Sequence, residues 1–134
     1  MMQILQPPEW ARPKGFANGI AVRGGTTVYI AGQVGWIGEQ RFVEKSFAGQ
    51  FTQALANIVA VLAQAGGRPE HLVRLTWYVL DRQEYLGALR EVGAAWRELI
   101  GRHYPAMAVV QVSGLIEPQA RLEIEATAVI PDPA

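Results

Sequence analysis

Residues 71–81 read HLVRLTWYVLD. Val73, Leu75, Trp77 and Val79 alternate with Arg74, Thr76 and Tyr78. That period of two marks a β-strand with one apolar face and one mixed face. The stretches on either side keep a different rhythm, so the strand is expected to lie in a sheet layered with helices.

Upstream, Phe47, Phe51, Leu55, Ile58, Leu62 and Ala65 recur at steps of three and four, the spacing of an amphipathic helix. Ser46 offers an N-cap oxygen. Gly66-Gly67 ends the pattern and Pro69 prevents its continuation. Downstream, Asp81 followed by Glu84 has the form of a capping box. A second apolar stripe follows through Tyr85, Leu89, Val92, Trp96 and Leu99, with Gly101 as its C-cap and His103 near the negative end of the helix dipole.

Farther out, IAVRGGTTVYIAG (20–32) reads as two strands around Gly24-Gly25, a pair suited to the positive φ of a hairpin turn. Val28 and Ile30 share one face, Tyr29 and Ala31 the other. The segment 1–18 is interrupted by Pro7, Pro8, Pro13 and Gly15 and is expected to be loose. Near the end, AMAVVQV (106–112) places Met107, Val109 and Gln111 on one face. RLEIEATAVI (121–130) places Leu122, Ile124, Ala126, Ala128 and Ile130 on one face, with Arg121, Glu123, Glu125 and Thr127 on the other. The expected order is ββαβαββ, an α+β single domain over residues 1–134.

Two helices cover one face of such a sheet. The second face would carry Tyr29, Arg74, Thr76, Tyr78, Met107, Val109, Gln111, Glu123 and Glu125, too apolar for a solvated surface and too polar for a dry core. A subunit interface explains that mixture; a monomer with a partly apolar exposed sheet is the alternative.

Composition narrows the function. Twelve basic and twelve acidic residues cancel among 134, and a nucleic-acid binder usually carries a basic surplus. There is no cysteine, which removes disulfides, thiolate nucleophiles and cysteine-bound zinc. His71 and His103, 32 positions apart, do not have metal-ligand spacing. Ser113 follows a strand with no GxSxG around it. The glycines of GQVGWIG (32–38) match neither a Walker loop nor GxGxxG. No signal peptide or membrane span is apparent, so a cytoplasmic protein without membrane attachment is expected. Carboxylates remain. Glu123 and Glu125 sit about 6.7 Å apart on one strand face, either as a charge ladder or as a general acid/base.

Five segments together, VYIAGQVG, FTQALANIVAVLAQAGG, HLVRLTWYVLD, YPAM and LEIEATAV, resemble the RidA/YjgF family, also called the L-PSP endoribonuclease or reactive-intermediate deaminase family. The resemblance spans about Gly15 to Ile130. It implies a chorismate-mutase-like α+β fold and a homotrimer whose sheets form a central barrel with three clefts between subunits. It further implies cofactor-free hydrolysis of enamines and imines such as 2-aminoacrylate. In the family an arginine two residues after a proline grips the substrate carboxylate as a planar fork, and a glutamate of the closing strand orients water.

The resemblance aligns that arginine with Met107, which has no charge and no donor. A carboxylate buried there without a partner would be strongly disfavoured. Other polar pocket positions align with Phe16, Ala17, Ala31, Leu89 and Val109. Gly32 and Gln33 match the family, and Glu123 matches its glutamate. The expected pocket is therefore less polar than the family's and suited to a small neutral or weakly polar ligand. Trp36 and Tyr104 are either pocket walls or packing. Chemistry, if present, falls to Glu123, and Arg121 is a candidate replacement cation. A non-catalytic small-molecule-binding or regulatory module, or a residual enamine/imine deaminase, is the alternative. Ribonuclease activity is disfavoured by the neutral charge and the lack of a histidine pair.

Overall fold

The computed structural model describes residues 2–134; Met1 lies outside them. The strands are β1 (Met2–Leu5), β2 (Gly19–Val22), β3 (Thr26–Val34), β4 (Trp36–Ile37), β5 (Arg41–Phe42), β6 (Leu72–Val79), β7 (Ala106–Gln111) and β8 (Leu122–Ile130). The α-helices are α1 (Phe47–Gln64), α2 (Arg82–Gly87) and α3 (Leu89–Leu99).

The main sheet has the order β3-β8-β6-β7. β8 runs antiparallel to both β3 and β6, whereas β6 and β7 are parallel. A parallel pair needs a crossover, and α2 with α3 supplies it. Ser46 caps α1 by accepting a bond from Gly49 N at 3.0 Å. Phe51, Leu55, Ile58 and Leu62 are fully buried between α1 and the sheet. Burying four such side chains stabilises the fold by on the order of 8 kcal/mol gross, about 2 for each. Ala65, expected on the same stripe, lies just past the helix and is exposed.

Several expectations need correction. Gly24 and Gly25 do have positive φ, 66° and 80°, but they do not close a hairpin. β2 pairs with β1 and β3 pairs with β8, so this turn carries the chain from one sheet to another. Segment 1–18 is accordingly not loose throughout: Met2–Leu5 is held by backbone pairing despite burying little of itself. The second helix breaks in two at Ala88, just after Gly87, a poor helix former. Asp81 caps it, accepting from Gln83 N at 2.9 Å, but Glu84 turns to Arg121 instead of completing a capping box.

Two strand faces also differ from expectation. A register shift between Leu72 and Arg74 buries Leu72 in place of Val73. On β7, Met107 is paired with Leu75 and Val109 with Trp77. Bridged partners point to the same side, so Met107, Val109 and Gln111 face the helices. Ala106, Ala108 and Val110 share the other face with Arg74, Thr76 and Tyr78. Both alternating sets of β7 are largely apolar, so hydrophobicity gave no sign of which faces the core.

Candidate functional site

Between β7, α2 and α3 lies a cleft of about 580 Å³, within the range of small-molecule sites. Its back is a ladder of aromatic rings. Trp77 on β6 and Trp96 on α3 stack at 6.3 Å with 27° between planes, and Trp96 and Tyr104 at 6.3 Å with 13°. Trp96 is fixed by its indole N–H, which donates to the His103 carbonyl at 3.0 Å. His103 is itself held against the Leu72 carbonyl, 2.6 Å from Nε2. Tyr85 meets Trp77 edge-on at 6.1 Å, and burial pushes its phenol above the usual tyrosine range. Among the described residues, Trp77 Nε1 is the buried side-chain polar atom with no hydrogen-bond partner.

Five of the expected pocket residues line this cleft: Phe16, Leu89, Tyr104, Met107 and Val109. Phe16 arrives through its neighbour. Ala17 N donates to the Pro105 carbonyl at 3.0 Å, and Ala17 bridges Ala106 in parallel. That contact lays the amino-terminal loop beside β7. Leu89 opens α3 and lies on the face that turns toward β7. Tyr104 is ladder and wall at once.

Ala31, Gly32, Gln33 and Glu123 form a second group on β3 and β8. Glu123 is paired with Tyr78 and with Val34, so it points away from the face that carries Trp77 and Met107. A β-carbon at position 32 would collide with the Glu123 carboxylate; glycine leaves the space that side chain occupies. The Glu123 carboxylate makes no hydrogen bond or ion pair with another described residue. Two residues on, Glu125 accepts a 2.7 Å bond from the Tyr78 hydroxyl, which raises the Tyr78 pKa. Gln33 turns back to the Ala31 carbonyl at 3.0 Å.

Trp36 joins neither group. It packs on Phe42 at 5.7 Å, and its carbonyl accepts from Asn57 at 2.8 Å. Arg121 is committed elsewhere as well. It pairs with Glu84 through two bonds, Nε to Oε1 at 3.1 Å and Nη2 to Oε2 at 3.2 Å. Its backbone N–H donates to Gln50 Oε1 at 2.7 Å. The fork is filled, so Arg121 is not poised beside Glu123.

Two cations line the cleft that the strand patterns did not bring out, Lys14 and Arg97. Neither side chain has a hydrogen bond or ion pair with a described residue. A signal for Arg97 was present in the sequence: Leu89, Gly93 and Arg97 are spaced i, i+4, i+8 on one helix face. Among the described residues no group of three or more His, Cys, Asp or Glu could hold a metal ion. No helix among them is long and apolar enough to cross a membrane.

A four-stranded mixed sheet with its helices on one face and an aromatic cleft at one edge defines an α+β protein with room for a small molecule. The family model for Endoribonuclease L-PSP matches residues 12–130, and the chain belongs to that family, the RidA/YjgF group. It is 29% identical to a 2-iminobutanoate/2-iminopropanoate deaminase of Dermatophagoides farinae over 111 residues, covering 82% of this chain and 83% of that protein. Its structure resembles the crystal structure of the Rid-family protein YyfB from Yersinia pestis, with a TM-score of 0.85 and 30% identity over 96% of this chain and 98% of that one. RidA from an Antarctic Psychrobacter is similar at a TM-score of 0.68 and 29% identity, covering 96% and 99% of the two chains.

Proposed function

We propose that this chain is a small-molecule-binding member of the family, assembled as a homotrimer, whose cleft receives a ligand with an apolar body. The cleft carries the reading: about 580 Å³ walled by Trp77, Trp96, Tyr104, Phe16, Leu89 and Met107. Family membership and the placement of the two groups of residues support the trimer. Within one chain, Glu123 and the cleft lie on opposite faces of the sheet, whose outer strands are β3 and β7. Head-to-tail contact between the β7 side of one copy and the β3 side of the next would bring a neighbour's Glu123 to the cleft. Such heterologous contacts close into a ring of three when each copy is rotated by a third of a turn from the last. In that setting Glu123 serves as general acid/base for hydrolysis or tautomerisation of the ligand.

The reaction with precedent in the family is addition of water to a C=N carbon, then cleavage of the C–N bond to give a ketone and ammonia. The Dermatophagoides relative bears the name of that activity for iminobutanoate and iminopropanoate. This chain is expected to serve such small imino acids poorly. Methionine stands at position 107, the site the sequence resemblance assigns to the family's arginine, and a three-carbon acid would leave the aromatic walls largely unfilled.

The test is to generate 2-iminopropanoate in situ with a lyase and follow its decay. Wild-type protein should not accelerate decay above background, whereas Met107→Arg should gain activity. Acceleration by the wild type that is lost in Glu123→Gln would overturn the discount and establish imine deamination instead.

A further inference from the structure

A second cavity shares no residue with the aromatic cleft. It holds about 230 Å³ where the end of β2, the short 3-10 turn Pro69–His71 and the end of β8 meet. Met2, Val22, Val129 and Pro131 make its apolar walls, and Arg23, Glu70 and His71 its polar ones. His71 is the buried member of that polar set, 7% exposed. Gln50 is the other buried polar side chain among the described residues, and its amide is bonded to backbone through both its oxygen and its nitrogen.

The imidazole of His71 is bonded on one edge only. The Arg68 backbone N–H donates to Nδ1 at 3.0 Å, and the His71 backbone N–H donates back to the Arg68 carbonyl at 2.9 Å. A ring nitrogen that accepts carries no proton, so neutral His71 holds its proton on Nε2. That N–H has no hydrogen-bond partner among the described residues. Nor is it sealed off: among those residues Trp77 Nε1 is the sealed side-chain atom without a partner. The ring lines the cavity, so the Nε2–H is its edge open to that space. His103 differs, since its Nε2 already meets the Leu72 carbonyl at 2.6 Å. A fixed donor on a buried side chain, open to a cavity, calls for an acceptor from outside the chain.

We infer that this cavity binds a small uncharged carbonyl compound, its oxygen on the His71 Nε2–H and its aliphatic body against Val22, Val129 and Pro131. Arg23 and Glu70 put one charge of each sign in the wall, so the cavity favours neither an anion nor a cation. Arg68 bonds Glu70 at 2.9 Å and holds its carboxyl below the usual carboxylate range, so Glu70 keeps its charge. Burying an ion against four apolar side chains is costly, whereas a carbonyl oxygen needs only the donor that is present. Occupancy would join β2 to the turn before β6, two segments far apart in sequence. The site does not depend on the reading of the aromatic cleft.

The experiment titrates 4-methylpentanamide and, separately, 4-methylpentanoate into the intact protein. The readout is the NMR nitrogen–proton correlation of the imidazoles of His71 and His103. The amide should shift the His71 Nε2 signal saturably and leave that of His103 in place. The carboxylate should bind at least about fivefold more weakly. His71→Phe also strips the Arg68 N–H of its acceptor, so the deciding variant is Val22→Phe, which fills the cavity and keeps the imidazole; it should abolish the shift. No response of His71 by about 10 mM amide, where a millimolar site is almost filled, overturns the inference. A shift that survives in Val22→Phe, or a carboxylate that binds as tightly as the amide, overturns it too. A response confined to the Trp77 and Trp96 indoles would place the amide in the aromatic cleft, sinking this inference while supporting the cleft as a binding site.

Discussion

Gln50 shows how much a single polar side chain can hold. It is 2% exposed, and its amide bonds three backbone groups, one just before its own helix and two from a distant segment. It donates to the Glu44 carbonyl at 3.1 Å and the Gln119 carbonyl at 2.9 Å, and it accepts from Arg121 N at 2.7 Å. These bonds tie the loop before β8 to α1 and so fix where β8 begins. Gln50→Ala leaves buried backbone groups unpaired and opens a small cavity; we expect a loss of about 3 kcal/mol, read as a lower urea midpoint. A change below about 1 kcal/mol would mean that water replaces the amide. The Arg121–Glu84 pair ties the same region, but its side chains are 38% and 30% exposed, and solvent screening limits such a pair to about 1 kcal/mol or less. In the sequence Gln50 was only a polar residue between Phe47 and Phe51. Its importance comes from partners as far as 71 positions away, and no local pattern records those.

At the scale of elements, the close approach of α1 to the turn after β3 decides the spacing of the layers. A β-carbon at Gly35 would lie 2.6 Å from the Gln50 Cα and 2.7 Å from its carbonyl oxygen, both backbone atoms that cannot turn aside. The glycine-rich segment 32–38 is therefore shaped by contact with a helix, consistent with its failure to match any phosphate-binding pattern. Gly35→Ala should force α1 away from the sheet and cost at least about 2 kcal/mol, visible as a lower thermal midpoint. An unchanged midpoint would show that α1 can slide without penalty. Both ends of α1 were legible, because capping and termination are written in adjacent residues, Ser46 and Gly66-Gly67. The facing of β7 was not. A strand reading AMAVVQ is almost equally apolar on both sides, and only pairing with β6 selects Met107 for the helix side.

For the whole molecule, the sheet's second face remains to be accounted for. Tyr29 is 81% exposed there, with Val110 also exposed and the Tyr78–Glu125 pair nearby. Such a face is suited to burial between copies. The proposed trimer predicts a solution mass near ~44 kDa, three times the 14.7 kDa of the chain, by sedimentation equilibrium at micromolar concentration. Val110→Glu, which places a charge on that face, should shift the mass toward the single chain. A wild-type mass of ~15 kDa under those conditions would remove the trimer, and with it any meeting of Glu123 and the cleft.

The sequence by itself determined the fold class, α1 and the four strands of the main sheet. Period-two and period-3.6 patterns, caps and breakers act between near neighbours, so they can be read without knowing the fold. It also marked five residues that the structure gathers into one cleft. Only the tertiary structure decided that Glu123 lies across the sheet from Met107, that Arg121 is occupied by Glu84, that Trp36 packs on Phe42, and that Lys14 and Arg97 line the cleft. Each of these depends on strand register, on a long side chain's choice of partner, or on the meeting of distant segments. Those are fixed by the free energy of the whole packed chain, to which local sequence contributes only a part.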